Sequence, residues 1–224
     1  MLPLEVLPFS QNSPERNMEI DTSLAEESER RGVFHFRWYG WKGLSLSFGY
    51  SQKALFETYG VDVPKVLRPT GGGILIHGWD ISYAFTTPSG VFVSVLDLYR
   101  FVSKIFVETF RGLGINATFS RNKKGDYRQR VLCQLVPTFG EVVVGNKKLV
   151  ASAVREFKRG NFLIHGSVYI AYNPPLAGKL LKTDPEVLKN TVATLSEVGL
   201  KKRLLMEFFE KGLQKNLKRR LETL

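Results

Sequence analysis

Three stretches of the chain hold the residue types that chemistry needs. The first is Leu67-Arg68-Pro69-Thr70-Gly71-Gly72-Gly73-Ile74-Leu75-Ile76-His77. Three consecutive glycines between strand-like segments cost folding entropy, so they mark a backbone that takes positive φ or that something approaches closely. Exposed N–H groups in such a turn, beside Arg68, suit a phosphate or a carboxyl oxygen, although a plain tight turn uses the same residues. No Gly-Lys-Ser/Thr follows, which excludes a Walker loop. The second stretch runs from Cys133 through Pro137, Thr138 and Glu141 to Lys147-Lys148-Leu149 and Ser152-Ala153. A lone cysteine is a small packing residue in one reading and a nucleophile in the other. Arg128 and Arg130 before it, and two lysines on a strand after it, make an environment that favours the thiolate. The third is Ile164-His165-Gly166-Ser167-Val168, a histidine within a strand, where a satisfied packing role competes with a catalytic one.

Bulk properties narrow the field. The single cysteine excludes an internal disulfide and a multi-thiolate zinc site, and with three histidines no metal is expected. No apolar run is long enough to cross a bilayer, and the N-terminus lacks a basic leader, so a cytoplasmic protein with no membrane association is expected. The 32 Lys and Arg against 21 Asp and Glu give a net charge of +11. An acidic partner is implied, either nucleic acid or a small acidic carrier protein, unless the charge serves only solubility. Part of it is concentrated in Arg121 to Arg130, and part in residues 201–224, which carry Lys201, Lys202, Arg203, Lys211, Lys215, Lys218, Arg219 and Arg220. No helix-turn-helix or RNA-binding motif is present, so a nucleic-acid partner ranks last.

The elements that must position these residues can be read from hydrophobic period. A helix is predicted over Asn17 to Arg31, stopped by Gly32. Val33 to Tyr39 and Leu44 to Tyr50 alternate and are predicted to pair as a hairpin with one buried face; Gly73 to His77 and Ile81 to Thr86 form a second predicted pair. Ser94 opens a helix with a Ser-x-x-Asp pattern, and Leu98, Phe101, Val102, Ile105, Phe106 and Phe110 give it an apolar face. Strands follow near Ala117 to Ser120, Glu141 to Val144, Lys148 to Phe157 across a Gly145-Asn146 turn, and Phe162 to Ile170. An amphipathic basic helix closes the chain, with Leu204, Leu205, Phe208, Phe209, Leu213, Leu217 and Leu221 on a helical period. The expected fold class is α+β: one domain with a mixed or antiparallel sheet flanked by helices, covering residues 11–183 and reaching about 200, with 184–224 as a C-terminal helical extension.

Taken in order, the three stretches resemble the lipoate-protein ligase and octanoyltransferase family, which shares its catalytic fold with biotin protein ligases. The resemblance is carried by Arg68-Pro69-Thr70-Gly71-Gly72-Gly73 with His77, by Lys147-Lys148-Leu149 with Ser152-Ala153, and by His165-Gly166-Ser167. Asn17-Met18-Glu19-Ile20-Asp21, Ser47-Phe48-Gly49-Tyr50-Ser51-Gln52 and Val192 to Glu197 support it. It implies a pocket where an acyl chain lies with its carboxyl carbon near the glycine loop and Lys148. The implied substrate-binding residues are Arg68, Thr70, Gly71, Gly72, Gly73, His77, Ser152, Ala153, His165 and Gly166, and the acceptor is a lysine of an acidic lipoyl-domain protein, an H protein or an E2 subunit.

Two chemistries share such a pocket. An octanoyltransferase receives its acyl group as a thioester on acyl carrier protein, passes it to a cysteine, and delivers it to the lysine without a cofactor. A lipoate ligase uses ATP and Mg to make lipoyl adenylate, cradled by the glycine loop. One subgroup of octanoyltransferases carries its nucleophile in a pattern like Cys-x-x-x-Pro-Ser/Thr-x-x-Asp/Glu, and Cys133, Pro137, Thr138 and Glu141 fall on it. The resemblance therefore implies Cys133 as nucleophile, with Lys148 as the cation that lowers the thiol pKa and steadies the tetrahedral oxyanion. Gly73 is the ligase-like choice at its position, and Leu67 and Ala151 depart from the usual Arg and Gly.

Overall fold

The computed structural model describes residues 3–120, 131–132 and 140–223. Cys133, the basic stretch 121–130, Pro137 and Thr138 lie outside the described residues. Ten strands and six helices follow one another as β1 (Leu4–Asn12), α1 (Pro14–Arg31), β2 (Phe34–Trp41), β3 (Ser45–Phe48), α2 (Lys53–Thr58), β4 (Lys65–Leu67), β5 (Leu75–His77), β6 (Asp80–Thr87), α3 (Val95–Gly112), β7 (Ala117–Phe119), β8 (Val142–Val144), β9 (Lys147–Glu156), β10 (Phe162–Tyr169), α4 (Pro174–Leu181), α5 (Pro185–Lys189) and α6 (Lys202–Leu221) among the described residues. Seven strands form one mixed sheet in the order β1-β2-β6-β10-β9-β8-β7, and β4-β3-β5 form a second, smaller one.

Local chemistry explains the helix ends. Ser13 accepts from the Arg16 N–H, Pro14 needs no donor partner in the first turn, and Gly32 closes α1 at φ +65°. Ser94 accepts from the Asp97 N–H, and the Asp97 carboxylate accepts from Val93 N, so the predicted capping residues fix the start of α3.

The two faces of the large sheet have different jobs. Phe34, Phe36 and Trp38 of β2, with Tyr83 of β6, meet α3 and α6 in the main core, where the Phe106 and Phe209 rings pack 4.2 Å apart at a tilt of 34°. Arg37, Tyr39 and Trp41 alternate onto the other face, covered by α1. Both faces of β2 are consequently buried, against the expected single one.

Two expected pairings are corrected. β2 and β3 are not a hairpin, because β3 leaves for the small sheet, where it pairs parallel with β4 and antiparallel with β5. β5 and β6 likewise belong to different sheets; β6 pairs antiparallel with β2 and β10. The reason is a sharp crossing of the two connections: Gly78 takes φ +110°, and a Cβ there would lie 2.9 Å from the Gly43 carbonyl oxygen. Alternation reports which side chains share a face but not which neighbour a strand chooses. β1 was absent from the sequence reading; it runs parallel to β2 along an edge, with a register shift between Leu7 and Ser10 that takes up Pro8.

Candidate active site

The glycine loop joins β4 to β5, strands that lie on opposite sides of β3, so residues 68–74 must cross the end of the small sheet. That crossing carries them beside the open end of the large sheet. Gly72 takes φ +98°, and Gly49 lies so close that a Cβ on it would meet the Gly72 carbonyl oxygen at 1.9 Å. Glycine is required at both positions, once for the backbone angle and once for space.

The loop is held from every side. Arg68 donates from Nη1 to the Ser47 carbonyl (2.8 Å) and Oγ (2.7 Å), and from Nη2 to the carbonyls of Gly71 (3.1 Å) and Gly73 (2.7 Å). Arg155 of β9 donates to the Pro69 carbonyl at 2.9 Å, and the Tyr50 N–H donates to the Thr70 carbonyl at 2.8 Å. With the Gly71 and Gly73 carbonyls engaged in this way, the backbone N–H groups of Gly71, Gly72 and Gly73 make no hydrogen bond within the described residues. Three neighbouring donors on a concave turn are a ready acceptor of negative oxygen.

Two carboxylate–imidazole–hydroxyl chains back the loop. In one, Asp21 of α1 takes 2.6 and 2.9 Å bonds from Arg37 and a 3.2 Å bond from Tyr39 Oη, and its Oδ2 accepts from His165 Nδ1 at 2.7 Å. On the far side of the ring, Nε2 meets the Thr70 hydroxyl at 2.6 Å. Burial pushes the His165 pKa below its ordinary value and outweighs the opposing pull of Asp21. In the other chain, His77 Nδ1 donates to Asp80 at 2.9 Å and Nε2 meets Ser47 Oγ at 2.6 Å, with the ring stacked on Trp41 at 3.8 Å. Burial alone would raise the Asp80 pKa, but the His77 charge and hydrogen bonds from His77, Ser167 and Ser82 outweigh it and hold it low. This second chain has the outline of a hydrolytic triad. Ser47 is enclosed in the protein and its Oγ already accepts from Arg68, so the chain is a wall and not a nucleophile.

Between these chains lies a small pocket of about 20 Å³, lined by Met18, Tyr39, Trp41 and Leu75, by Arg68, Gly72, His77 and His165, and by Ala151 to Ala153 and Gly166 with Ser82 and Ser167. Gly166 is there for contact reasons, since a Cβ would stand 2.1 Å from the Ala151 carbonyl oxygen across the β9–β10 ladder. Lys148 stands apart from this lining. Its side chain is 1% exposed and its Nζ lies 2.9 Å from the Glu141 carboxylate, itself 2% exposed, while its backbone bridges to Val192.

The family model of the lipoyl protein ligase A/B catalytic domain matches residues 13–217. The chain belongs to that family. Within it, this lipoyl ligase-type chain is 30% identical over 237 residues to the octanoyltransferase LipM of Anoxybacillus flavithermus, covering 92% of this chain and 85% of that one. It is 34% identical over 177 residues to the octanoyltransferase LipM of Kyrpidia tusciae, covering 70% of this chain and 62% of that one. Among solved structures, the fold is similar to a bi-partite lipoate protein ligase from Thermoplasma acidophilum, described with its E2 lipoyl domain (TM-score 0.75, 17% identity, 97% and 85% of the two chains). It is equally similar to a lipoate-protein ligase A bound with ATP (TM-score 0.74, 17% identity, 97% and 85%).

Of the residues expected from the sequence, Arg68, Gly72, His77, Ser152, Ala153, His165 and Gly166 line one pocket of this lipoyl ligase-type domain. Thr70, Gly71 and Gly73 shape the loop behind it, and Lys148 sits with Glu141. Three contributors were not among the expected site residues: Arg37, and Asp21 and Ser47, which had entered only within segments that support the resemblance. Their signal was polar residues at core positions of strongly patterned elements. Asn17, Asp21 and Ser28 recur on one side of α1 and are all buried, which only buried partners can support. No helix among the described residues is long and apolar enough to cross a membrane.

Proposed function

We propose that this enzyme transfers an octanoyl group from acyl carrier protein to the acceptor lysine of a lipoyl-domain protein, through a thioester on Cys133, in the cytoplasm and without a cofactor. The carrying observation, beside the octanoyltransferase relatives, is the strand bridge between Leu132 and Ile74, made with an Ile74 N–H to Val131 carbonyl bond of 2.8 Å. Ile74 follows the glycine loop directly, and Leu132 precedes Cys133 directly; neighbouring Cα atoms are about 3.8 Å apart. On the other side of Cys133 in the chain, Glu141 meets Lys148. The chain thus enters the Cys133, Pro137, Thr138, Glu141 pattern from Leu132, bridged to Ile74, and leaves it at Glu141, paired with Lys148.

The chemistry follows from these groups. Thioester exchange between the carrier and Cys133 conserves bond energy, so no adenylation is needed. The carbonyl oxygen gains charge in each tetrahedral intermediate, and the N–H groups of Gly71, Gly72 and Gly73 with the Lys148 cation are the available stabilisers. The acceptor amine then forms the amide bond as the C–S bond breaks, and the thiolate leaves. Met18, Tyr39, Trp41 and Leu75 give the pocket the apolar wall that an acyl chain would meet. The net charge of +11 attracts acidic carrier and lipoyl domains alike, raising encounter rates.

ATP-dependent lipoylation is the second reading, favoured by the unbonded glycine-loop donors, which suit a phosphate as well as an oxyanion. One experiment separates the two. Purified protein is mixed with octanoyl carrier protein without ATP, and the intact mass is compared with that of Cys133→Ala. An octanoyl adduct confined to the wild type is expected. No adduct, followed by pyrophosphate release with ATP and lipoate, would establish the ligase.

A further inference from the structure

We propose that Asp21, His165 and Thr70 form a positioning chain that fixes the backbone donors of the glycine loop on the acyl oxygen. The inference rests on the transferase reading for its substrate but not for its geometry. None of the three residues supplies an oxyanion donor itself; each acts through the next.

The chain has a polarity set at its buried end. Asp21 is fully buried and receives both Arg37 bonds on Oδ1, which leaves Oδ2 for Tyr39 and His165. A carboxylate only accepts, so His165 carries its proton on Nδ1. Nε2 is then an acceptor, and at 2.6 Å it takes the hydroxyl proton of Thr70. The Thr70 side chain is thereby locked in one rotamer by an imidazole whose own orientation is fixed from α1, across the face of the sheet. Its main chain is locked too, because the Thr70 carbonyl accepts from Tyr50. The residue before the three glycines is thus pinned at both its backbone and its side chain.

The glycines need such an anchor. With no side chains and, in Gly72, a φ of +98°, the segment has more backbone freedom than any other triplet would. Arg68 holds it through the Gly71 and Gly73 carbonyls, which sets those peptide planes. Thr70 supplies the fixed point. Misplacement of a donor by an ångström costs about a hundredfold in rate, so the chain's contribution lies in catalysis more than in stability.

The test compares Thr70→Val, which keeps shape and removes the hydroxyl, with Thr70→Ser, which keeps the hydroxyl. Two reactions of Cys133 are followed: acylation by octanoyl carrier protein, which develops an oxyanion, and alkylation by iodoacetamide, which does not. Thr70→Val is expected to slow acylation about ten- to a hundredfold while alkylation stays at the wild-type rate, and Thr70→Ser to restore acylation. Equal slowing of both reactions, or none of either, would overturn the inference. Nitrogen spectra of the imidazole and amide spectra of the glycines provide a second readout that needs no reaction. They should show His165 protonated on Nδ1, and the Gly71 to Gly73 amides exchanging faster in Thr70→Val. A His165 protonated on Nε2 instead would refute the chain. Absence of any octanoyl adduct on the wild type would refute the transferase reading alone, with the spectra still deciding the chain.

Discussion

Gly49 and Gly72 meet backbone to backbone, at a distance that leaves no room for a methyl group on Gly49: its Cβ would fall 1.9 Å from the Gly72 carbonyl oxygen. Gly49 itself has φ −67°, an angle any residue adopts. Alanine would therefore suit the local backbone, and the whole penalty would come from displacing the loop. Gly49→Ala is expected to lower stability by about 1–3 kcal/mol, read as a fall in Tm, and to abolish acyl transfer. Ala at Gly60, where a Cβ meets nothing within 4 Å, is the control and should leave both unchanged. Full transfer activity in Gly49→Ala would show that the contact does not position the loop.

Lys148 and Glu141 test whether a buried ion pair is structural, catalytic or both. Removing one partner leaves the other charge buried, which costs about 3–5 kcal/mol. Lys148→Met should thus unfold at markedly lower denaturant. The double variant Lys148→Met with Glu141→Leu, which removes both charges of the pair, should recover part of that loss yet stay inactive in octanoyl transfer. Recovery of activity along with stability would assign Lys148 a purely structural role.

Much of this site could be read from residue types in order. The glycine triplet, the Lys148 segment and the His165-Gly166 step each have a local signature, and the capped start of α3 is written in Ser94 and Asp97. What could not be read is who faces whom. Trp41 and Leu44 are near neighbours in sequence, yet the chain between them passes from one sheet to the other, a choice made by Gly43 and Gly78 packing together and not by the alternation of either strand. Asp21 was visible as the end of a helix segment that supports the resemblance, with no sign of its partners. Its role needs Arg37 and His165, sixteen and 144 positions away, to be brought to it by the sheet. Edge strand β1 carries Pro8, a residue that argues against a strand until the bulge is seen.

Acid should weaken the fold first through histidine. Burial depresses the pKa values of His35 and His165 below the ordinary value of 6.5. Above 6.5 these rings are neutral in both folded and unfolded chains and their contribution is intact. As pH falls through 6.5 the unfolded chain takes up protons that the folded chain refuses, so stability declines until the folded values are passed. Asp80 acts later: its pKa is held below 3.8, so its contribution is present above that value and is lost as pH drops through the folded one. Thermal melts from pH 8 to 5 should show a falling Tm with little change between 8 and 7, and His35→Gln should flatten the slope. A Tm that rises on acidification to pH 5 would contradict the sign.

The basic C-terminal helix gives the last prediction, because its position separates two roles that its sequence left open. Phe209 packs within 6.2 Å of Phe36, Trp38, Tyr83 and Phe106, on the face of the large sheet turned away from Met18, Tyr39 and Trp41 of the pocket. Its apolar side is core, and Phe209→Ala should cost about 3–5 kcal/mol. Its basic side points to solvent behind the site, where a protein delivering a lysine or a thioester to the pocket would not reach it. Replacing Lys215, Lys218 and Arg219 with Gln should therefore leave the KM for carrier and acceptor within about twofold at physiological salt, since the long-range field is screened over roughly 8 Å. A tenfold rise in either KM would mean that the partner wraps around the domain and that α6 is part of its docking surface.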